Sequence, residues 1–216
     1  MPSGHALPEK WSLIMDNLII TIGRQYGSGG HEIGEKLAAH LGIKFYDQEL
    51  LTVAAKHSGL SRDLLEINDE KPMSLLFSLS TGGYGTDMSI NHKLFLAQFE
   101  AIQLVARESP CVIVGRCADY ALRDFNNCVN VFVYADLPHR IRRITNLYEK
   151  PARIAEETII RTDRRRASYY SYYTGKKWGA MENYDIALNT SRVGIDNAVK
   201  LIADFAQMQK NREPIG

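Results

Sequence analysis

A short Gly-rich stretch is the part of the sequence whose residue types point most directly to chemistry. Residues 23–30 read Gly-Arg-Gln-Tyr-Gly-Ser-Gly-Gly and lie between an apolar run and a helical pattern. Glycines let backbone N–H groups converge on an anion, and the N-terminus of a following helix adds a favourable dipole. The stretch therefore predicts phosphate binding, and the alternative is a Gly-rich turn needed only for packing. The predicted ligand contacts are Arg24, Gly27, Ser28, Gly29, Gly30, His31 and Glu32.

Two nucleotide-binding motifs compete for this stretch, and neither matches completely. The dinucleotide motif G-x-G-x-x-G, started at Gly27, meets Glu32 where its third glycine belongs, which disfavours an NAD-dependent oxidoreductase. The mononucleotide motif G-x-x-x-x-G-K-[ST] keeps Gly29 as its second glycine. Arg24 replaces its first glycine and Gly30 replaces its lysine, so the loop lacks the usual ammonium group. The candidates for the missing charge are Arg24, Lys36, a protonated His31 and arginines elsewhere in the chain.

Positive charge is concentrated in one block of an otherwise balanced chain. The 216 residues carry a net charge of +1, but residues 139–177 hold eleven Lys or Arg and four acids, a local charge of +7. This segregation predicts an anionic ligand, and the near-neutral total argues against a general nucleic-acid or membrane-surface binder. Arg161, Arg164 and Arg165 share one helical face, and with Arg166 they are the predicted catalytic guanidinium groups. The alternative is a solvated helix paired with its own acids. We interpret Arg140, Arg142 and Arg143 as helix surface.

Charged residues also follow two of the predicted strands. Asp47 ends a short strand, and Arg116 and Asp119 follow a buried apolar one. Because open parallel sheets bind ligands beyond the carboxyl ends of their strands, we expect these three residues to contact a substrate. For Asp47 the alternative is an N-cap of a helix that begins at Gln48.

Strands and helices alternate along the chain and must position these residues. Apolar β-rich runs predict strands at 18–22, 44–47, 111–114, 129–135 and 185–189. Helical periodicity covers 31–41, 48–57, 61–69, 91–108, 137–148, 152–173 and 194–208. The alternation predicts an α/β fold with an open parallel sheet. We interpret residues 18–208 as a single domain with a mobile insert at 72–90, between a loose segment at 1–17 and a tail at 209–216.

Cysteine usage and hydropathy bear on the compartment. Cys111, Cys117 and Cys128 are odd in number and show no CxxC spacing, which favours reduced thiols over a disulfide framework or a zinc site. The first 17 residues do not have the pattern of a signal peptide, and no run of 18 apolar residues occurs. We therefore expect a cytoplasmic protein with no membrane partner.

Several ordered motifs resemble the cytidylate kinase-like family of bacterial kinases. They are residues 23–33, Phe45-Tyr46-Asp47, residues 114–120, 165–170, 173–178 and 184–191. The resemblance runs from about residue 18 to residue 206. It implies a three-layer α/β/α parallel sheet of the P-loop, nucleoside-monophosphate-kinase type, with a helical lid over about residues 145–178.

The resemblance also implies a function. It implies an ATP- and Mg²⁺-dependent phosphotransferase that moves the γ-phosphate to a small acceptor, CMP or another nucleoside monophosphate. Arg116 would help to bind the monophosphate, the lid arginines would contact phosphates, and Asn189 would lie in the loop that touches adenine. We expect no nucleic-acid partner, and the sequence is compatible with either a monomer or a homo-oligomer. The absent lysine motivates an alternative, a non-catalytic nucleotide-binding regulatory protein with a degenerate phosphate loop.

Overall fold

The computed structural model describes residues 18–47, 49–58 and 90–210. The predicted loose segment at 1–17, the predicted helix at 61–69 and residues 211–216 of the predicted tail lie outside this range. Residues 72–89 of the predicted insert also lie outside it.

Five strands in the described residues form one parallel sheet. They are β1 (Ile19–Arg24), β2 (Lys44–Tyr46), β3 (Cys111–Val114), β4 (Cys128–Tyr134) and β5 (Ile186–Asn189). The strand order is β2-β3-β1-β4-β5, and Ile19 is in register with both Cys111 and Cys128. Strand β1 is thus central and buried on both faces, which explains why Ile19, Ile20 and Ile22 are apolar on both sides of the sheet.

Helices connect these strands. Those in the described residues are α1 (Gly30–Leu41), α2 (Glu49–Ser58), α3 (Ile90–Glu108), α4 (Ala118–Ala121), α5 (Leu137–Tyr148), α6 (Ala152–Thr174), α7 (Thr190–Val193) and α8 (Ile195–Lys210). A single 3₁₀ turn covers Met181–Asn183. The predicted helices that fall on described residues are confirmed, with ends within two residues of the predicted ones. Among those residues, no helix combines the length and apolar character needed to cross a membrane.

The sheet is covered on both faces, which confirms the predicted three-layer α/β/α architecture. Alternate residues of β1 point to opposite sides, so Ile20 and Ile22 belong to one core and Ile19 to the other. The first core is completed by α1 and α8, and the second by α2, α3 and α4. The carboxyl end of β1 is therefore held rigidly between two packed helical layers.

The basic helix α6 is anchored at two points by apolar contacts. Near its start, Ala155 and Ile159 are fully buried against Ile144 of α5. Near its end, Tyr173 stacks on Phe95 of α3 with ring centroids 3.9 Å apart. The residues between these anchors are consequently held over the carboxyl end of β1.

Candidate functional site

The loop between β1 and α1, here called the Gly-rich loop (residues 24–29), curls through two left-handed glycines. Gly27 has φ 80° and Gly29 has φ 87°, a conformation that costs side-chain-bearing residues free energy. A Cβ on Gly29 would also overlap the side chain of Ile195. The backbone conformation and the packing of the loop therefore require these two glycines, which the sequence predicts as phosphate contacts.

Helix α1 begins with backbone donors that are not used inside the protein. Within the described part of the chain, the N–H groups of Gly29, Gly30, His31 and Glu32 have no hydrogen-bond acceptor. The first amide of the helix to be paired is that of Ile33, which donates to the carbonyl of Gly29 at 2.9 Å. Unpaired amides and the helix dipole make this end of α1 favourable for an anion.

The hydroxyl of Ser28 holds the loop in place. Ser28 is buried, and its Oγ donates to the carbonyls of Gln25 at 2.8 Å and Val133 at 3.1 Å. Its own carbonyl accepts from Thr190 Oγ1 at 2.8 Å. Ser28, predicted as a ligand contact, thus ties the loop to β4 and α7 through its side chain.

Two charged residues clamp the peptide groups of Tyr26. Asp163 of α6 accepts a hydrogen bond from the Tyr26 N–H at 2.7 Å. Arg140 of α5 donates to the Tyr26 carbonyl at 3.2 Å and forms an ion pair with Asp163. The Arg140 and Asp163 side chains are only 10% and 16% exposed, so this pair is largely shielded from water. The basic helix and the Gly-rich loop are therefore joined directly.

The loop borders a cleft of about 540 Å³, which is within the size range of small-molecule sites. Four guanidinium-bearing residues line it: Arg24, Arg116, Arg143 and Arg166. The carboxylate-bearing residues Glu32 and Asp47 also line it. The cleft thus combines free amides with an excess of cations, as an anionic ligand requires.

Asp47 joins two residues of the cleft. One carboxylate oxygen accepts from Arg116 Nη1 at 2.8 Å, and the other lies 2.7 Å from His31 Nδ1. Although burial raises the pKa of Asp47, the charges of Arg24 and Arg116 outweigh this and lower it. Because an ionised carboxylate only accepts hydrogen bonds, His31 Nδ1 must carry the proton of their contact. The Asp47 carboxylate therefore links Arg116, after β3, to His31 of α1.

Arg116 is held in an uncommon backbone conformation. It and Cys117 both have φ 54°, in the left-handed region that non-glycine residues rarely adopt. The Arg116 side chain is 3% exposed and bonded to Asp47. Strain of this kind persists where the surrounding structure enforces it, often at functional sites.

Glu32 is committed to two cations. Its carboxylate bonds to Arg143 at 2.5 Å and to Lys36 at 3.0 Å, and Lys36 also bonds to Asp196 at 2.8 Å. Partial burial raises the pKa of Glu32, but the bonds from Arg143 and Lys36 give a net lowering. A metal ion at Glu32 would therefore compete with two existing partners.

Of the four arginines predicted to be catalytic, Arg166 lines the cleft. Its Nη1 donates to the carbonyl of Arg24 at 3.3 Å, and its guanidinium lies 5.8 Å from the Tyr26 ring. Helix α6 turns the face of Asp163 and Arg166 toward the loop. The face predicted to carry the chemistry points elsewhere: Arg161 and Arg164 are exposed, and with Arg165 they lie outside the lining of the cleft.

Two further predicted residues lie outside the cleft lining. Asp119 lines an adjoining cavity, where it accepts a hydrogen bond from Tyr170 at 2.6 Å. Burial raises the pKa of Asp119. Asn189 accepts from the Ser191 N–H at 3.0 Å and so caps helix α7.

The interpretation of Arg140 and Arg143 as helix surface was wrong. Arg140 is buried in the clamp, and Arg143 lines the cleft, whereas Arg142 is exposed as expected. The signal was present in the sequence, because Arg140 lies four residues before the buried Ile144 and shares its helical face.

Residues 19–192 match the model of the cytidylate kinase-like family. The chain belongs to that family. A cytidylate kinase of Saccharolobus islandicus is 23% identical over 200 residues, covering 92% of this chain and 96% of that protein.

Solved structures agree on the fold. An uncharacterised protein of Eubacterium ventriosum is 28% identical, with a TM-score of 0.67 over 88% of this chain and 98% of that one. Shikimate kinase of Acinetobacter baumannii, solved in complex with shikimate, has a TM-score of 0.52 at 14% identity, over 94% of this chain and 99% of that one. The family and the kinase fold together support a phosphotransferase, while the acceptor is not fixed at these identities.

Proposed function

We propose that this protein is an ATP-dependent phosphotransferase that transfers the γ-phosphate of ATP to a small acceptor. The observation that carries the proposal is the row of unpaired N–H groups from Gly29 to Glu32, which opens onto a cleft lined by four arginines. Backbone amides at a helix N-terminus and guanidinium forks are the groups that bind phosphate in proteins.

Phosphoryl transfer depends chiefly on positioning and on neutralising charge. The amides of the loop would hold the phosphates of the nucleotide, and Arg166 would reach them from α6. Mg²⁺ would neutralise charge between the phosphates, held mainly by their oxygens and by water. Asp47 and Glu32 are the carboxylates among the described residues that line the cleft, and because both are already paired with cations they would contact Mg²⁺ only through its water.

The acceptor would bind on the side of Asp47 and Arg116, at the carboxyl ends of β2 and β3. CMP is the first acceptor to test, because the curated relatives are named cytidylate kinases. Other nucleoside monophosphates and small alcohols follow, since Arg116 already shares its charge with Asp47.

Formation of ADP, followed in a coupled assay with Mg²⁺ and a panel of acceptors, tests the proposal. We expect one class of acceptor to raise the rate of ADP formation well above the rate without acceptor. Folded protein that binds Mg-ATP but forms no ADP with any member of the panel would refute the transfer activity.

That result would favour the regulatory alternative, which Gly30 in place of the lysine supports. The two functions differ in what Arg166 does. A phosphotransferase should lose most of its rate in Arg166→Met, whereas a non-catalytic binder has no rate to lose and should show at most weaker binding of ATP.

A further inference from the structure

Gly30 occupies a position where the backbone does not require glycine. It is the first residue of α1, and it is not among the glycines with positive φ. A Cβ at Gly30 would lie 2.5 Å from Cβ and 2.8 Å from Cγ of Arg24, closer than real Cβ atoms approach. The absence of a side chain at residue 30 is therefore explained by the side chain of Arg24.

The other end of the same arginine lies against Gly115, a residue whose φ of 80° already favours glycine. A Cβ on Gly115, which follows β3, would overlap Nη1 of Arg24 and lie 2.7 Å from its Cζ. Arg24 thus extends from the start of α1 to the end of β3, and glycines on two separate elements line its path. Arg24 and Arg116 both line the cleft and the adjoining cavity.

Two other candidates for the missing charge, Lys36 and Arg143, share the carboxylate of Glu32. Lys36 bonds to Glu32 and Asp196, and neither Lys36 nor Asp196 lines the cleft. Arg143 bonds to the same Glu32. Arg24 lines both the cleft and the adjoining cavity, and its charge acts on Asp47.

We propose that Arg24 is a catalytic residue that replaces the motif lysine. Its guanidinium contacts the terminal phosphates of the bound nucleoside triphosphate. Residue 30 is a glycine because the side chain of Arg24 fills the space that the lysine would occupy. This inference rests on the proposed function. Arg24 exchanges no proton, because a guanidinium stays protonated. It donates hydrogen bonds to the phosphoryl oxygens during the transfer. In that step an oxygen of the acceptor forms a bond to the γ-phosphorus, and the bond between the γ-phosphorus and the bridging oxygen of ADP breaks, with the electron pair of the broken bond leaving on ADP.

The first experiment compares the binding of Mg-ATP and Mg-ADP by calorimetry in wild type and Arg24→Met. Met keeps the apolar stem and removes the charge. A hydrogen bond to a charged group contributes enough that its loss should weaken Mg-ATP binding about 10- to 100-fold. Mg-ADP binding should weaken much less, because ADP lacks the γ-phosphate. Arg123→Met, an exposed arginine paired with Asp124, is the matched control and should leave both affinities unchanged.

The second experiment exchanges the two positions. Gly30→Lys alone should lower the Tm by several degrees, since overpacking of a filled site destabilises proteins. Arg24→Gly combined with Gly30→Lys restores the motif G-x-x-x-x-G-K and removes the overlap. The double variant should therefore have a higher Tm than Gly30→Lys. Its preference for Mg-ATP over Mg-ADP should be at least about tenfold greater than that of Arg24→Gly, which corresponds to about 1.4 kcal/mol.

The outcomes separate this inference from the proposed function. Wild-type protein that binds neither nucleotide refutes the proposed function, and the inference falls with it. If wild type binds both nucleotides and Arg24→Met keeps the same ATP-to-ADP ratio, only the inference is refuted. Should Arg24→Met not fold, Arg24→Gln gives the same comparison, because Gln also removes the charge: loss of the ATP preference supports the assignment, and an unchanged ATP-to-ADP ratio in a folded Arg24→Gln variant overturns it. A Gly30→Lys variant as stable as wild type overturns the steric argument.

Discussion

The clamp on Tyr26 leads to a prediction whose size can be worked out from the structure. In Asp163→Asn, the amide oxygen can still accept the Tyr26 N–H, but Arg140 loses its charged partner. Removing one member of a buried ion pair typically costs about 3–5 kcal/mol, because the other charge stays buried. Arg140 keeps its bond to the Tyr26 carbonyl and both side chains retain slight exposure, so we expect the lower end, about 3 kcal/mol.

A loss of that size is a large part of the stability of an ordinary domain, which is about 5–15 kcal/mol. Urea denaturation at neutral pH measures it directly, and the Tm should fall by roughly 6–12 °C for a chain of this length. The matched control is Asp196→Asn, which removes a carboxylate at a similar distance from Lys36 but with an 80% exposed side chain. Exposed pairs contribute little, so the control should differ little from wild type. Equal losses in the two variants would refute the account of the clamp.

Three further predictions concern the carboxylates and the loop. The pKa of Asp47 is lowered, so its carboxylate stabilises the fold above its unfolded pKa of about 4, and this stabilisation is lost as the pH falls through the folded pKa. Asp47→Asn should therefore lower the free energy of unfolding at neutral pH, and the free energy of unfolding of the variant should depend less on pH below about 4. Burial raises the pKa of Asp119, so its ionisation costs stability as the pH rises above its unfolded pKa of about 4. Asp119→Asn should therefore gain stability relative to wild type as the pH rises above about 4, and a difference that does not change with pH would contradict this. Gly29→Ala should cost about 1–3 kcal/mol in urea denaturation, through its positive φ and its overlap with Ile195. Ile195→Ala is itself destabilising because Ile195 packs against the core, but within that variant the added cost of Gly29→Ala should be smaller and not zero, since the φ strain remains.

The sheet and its helices could be predicted because each local pattern agreed with the fold. The apolar run of β1 and the helical periodicity of α1 depend on local sequence and burial, and the structure confirms both. The Gly-rich loop could also be located, since the left-handed conformations of Gly27 and Gly29 leave a direct trace in residue type.

The assignment of individual charged residues depended on tertiary packing and was less predictable. Arg161 and Arg164 share a helical face, but apolar contacts of Ile159 turn a different face of α6 toward the loop. The pairing of Asp163 with Arg140 joins residues 23 positions apart on different helices, so spacing within one helix did not reveal it. Gly30 departs visibly from the motif in the sequence, but the physical reason, the position of the Arg24 side chain, depends on the three-dimensional structure.

The central claim is that the amides of the Gly-rich loop and the arginines of the cleft bind a triphosphate whose γ-phosphate is transferred. The most direct measurement follows [γ-³²P]ATP with Mg²⁺, with and without CMP and the other acceptors, and identifies the labelled product. The account predicts label transferred to an acceptor in wild type and lost in Arg166→Met. Intact ATP after incubation with every acceptor, from folded protein that binds it, would contradict the account.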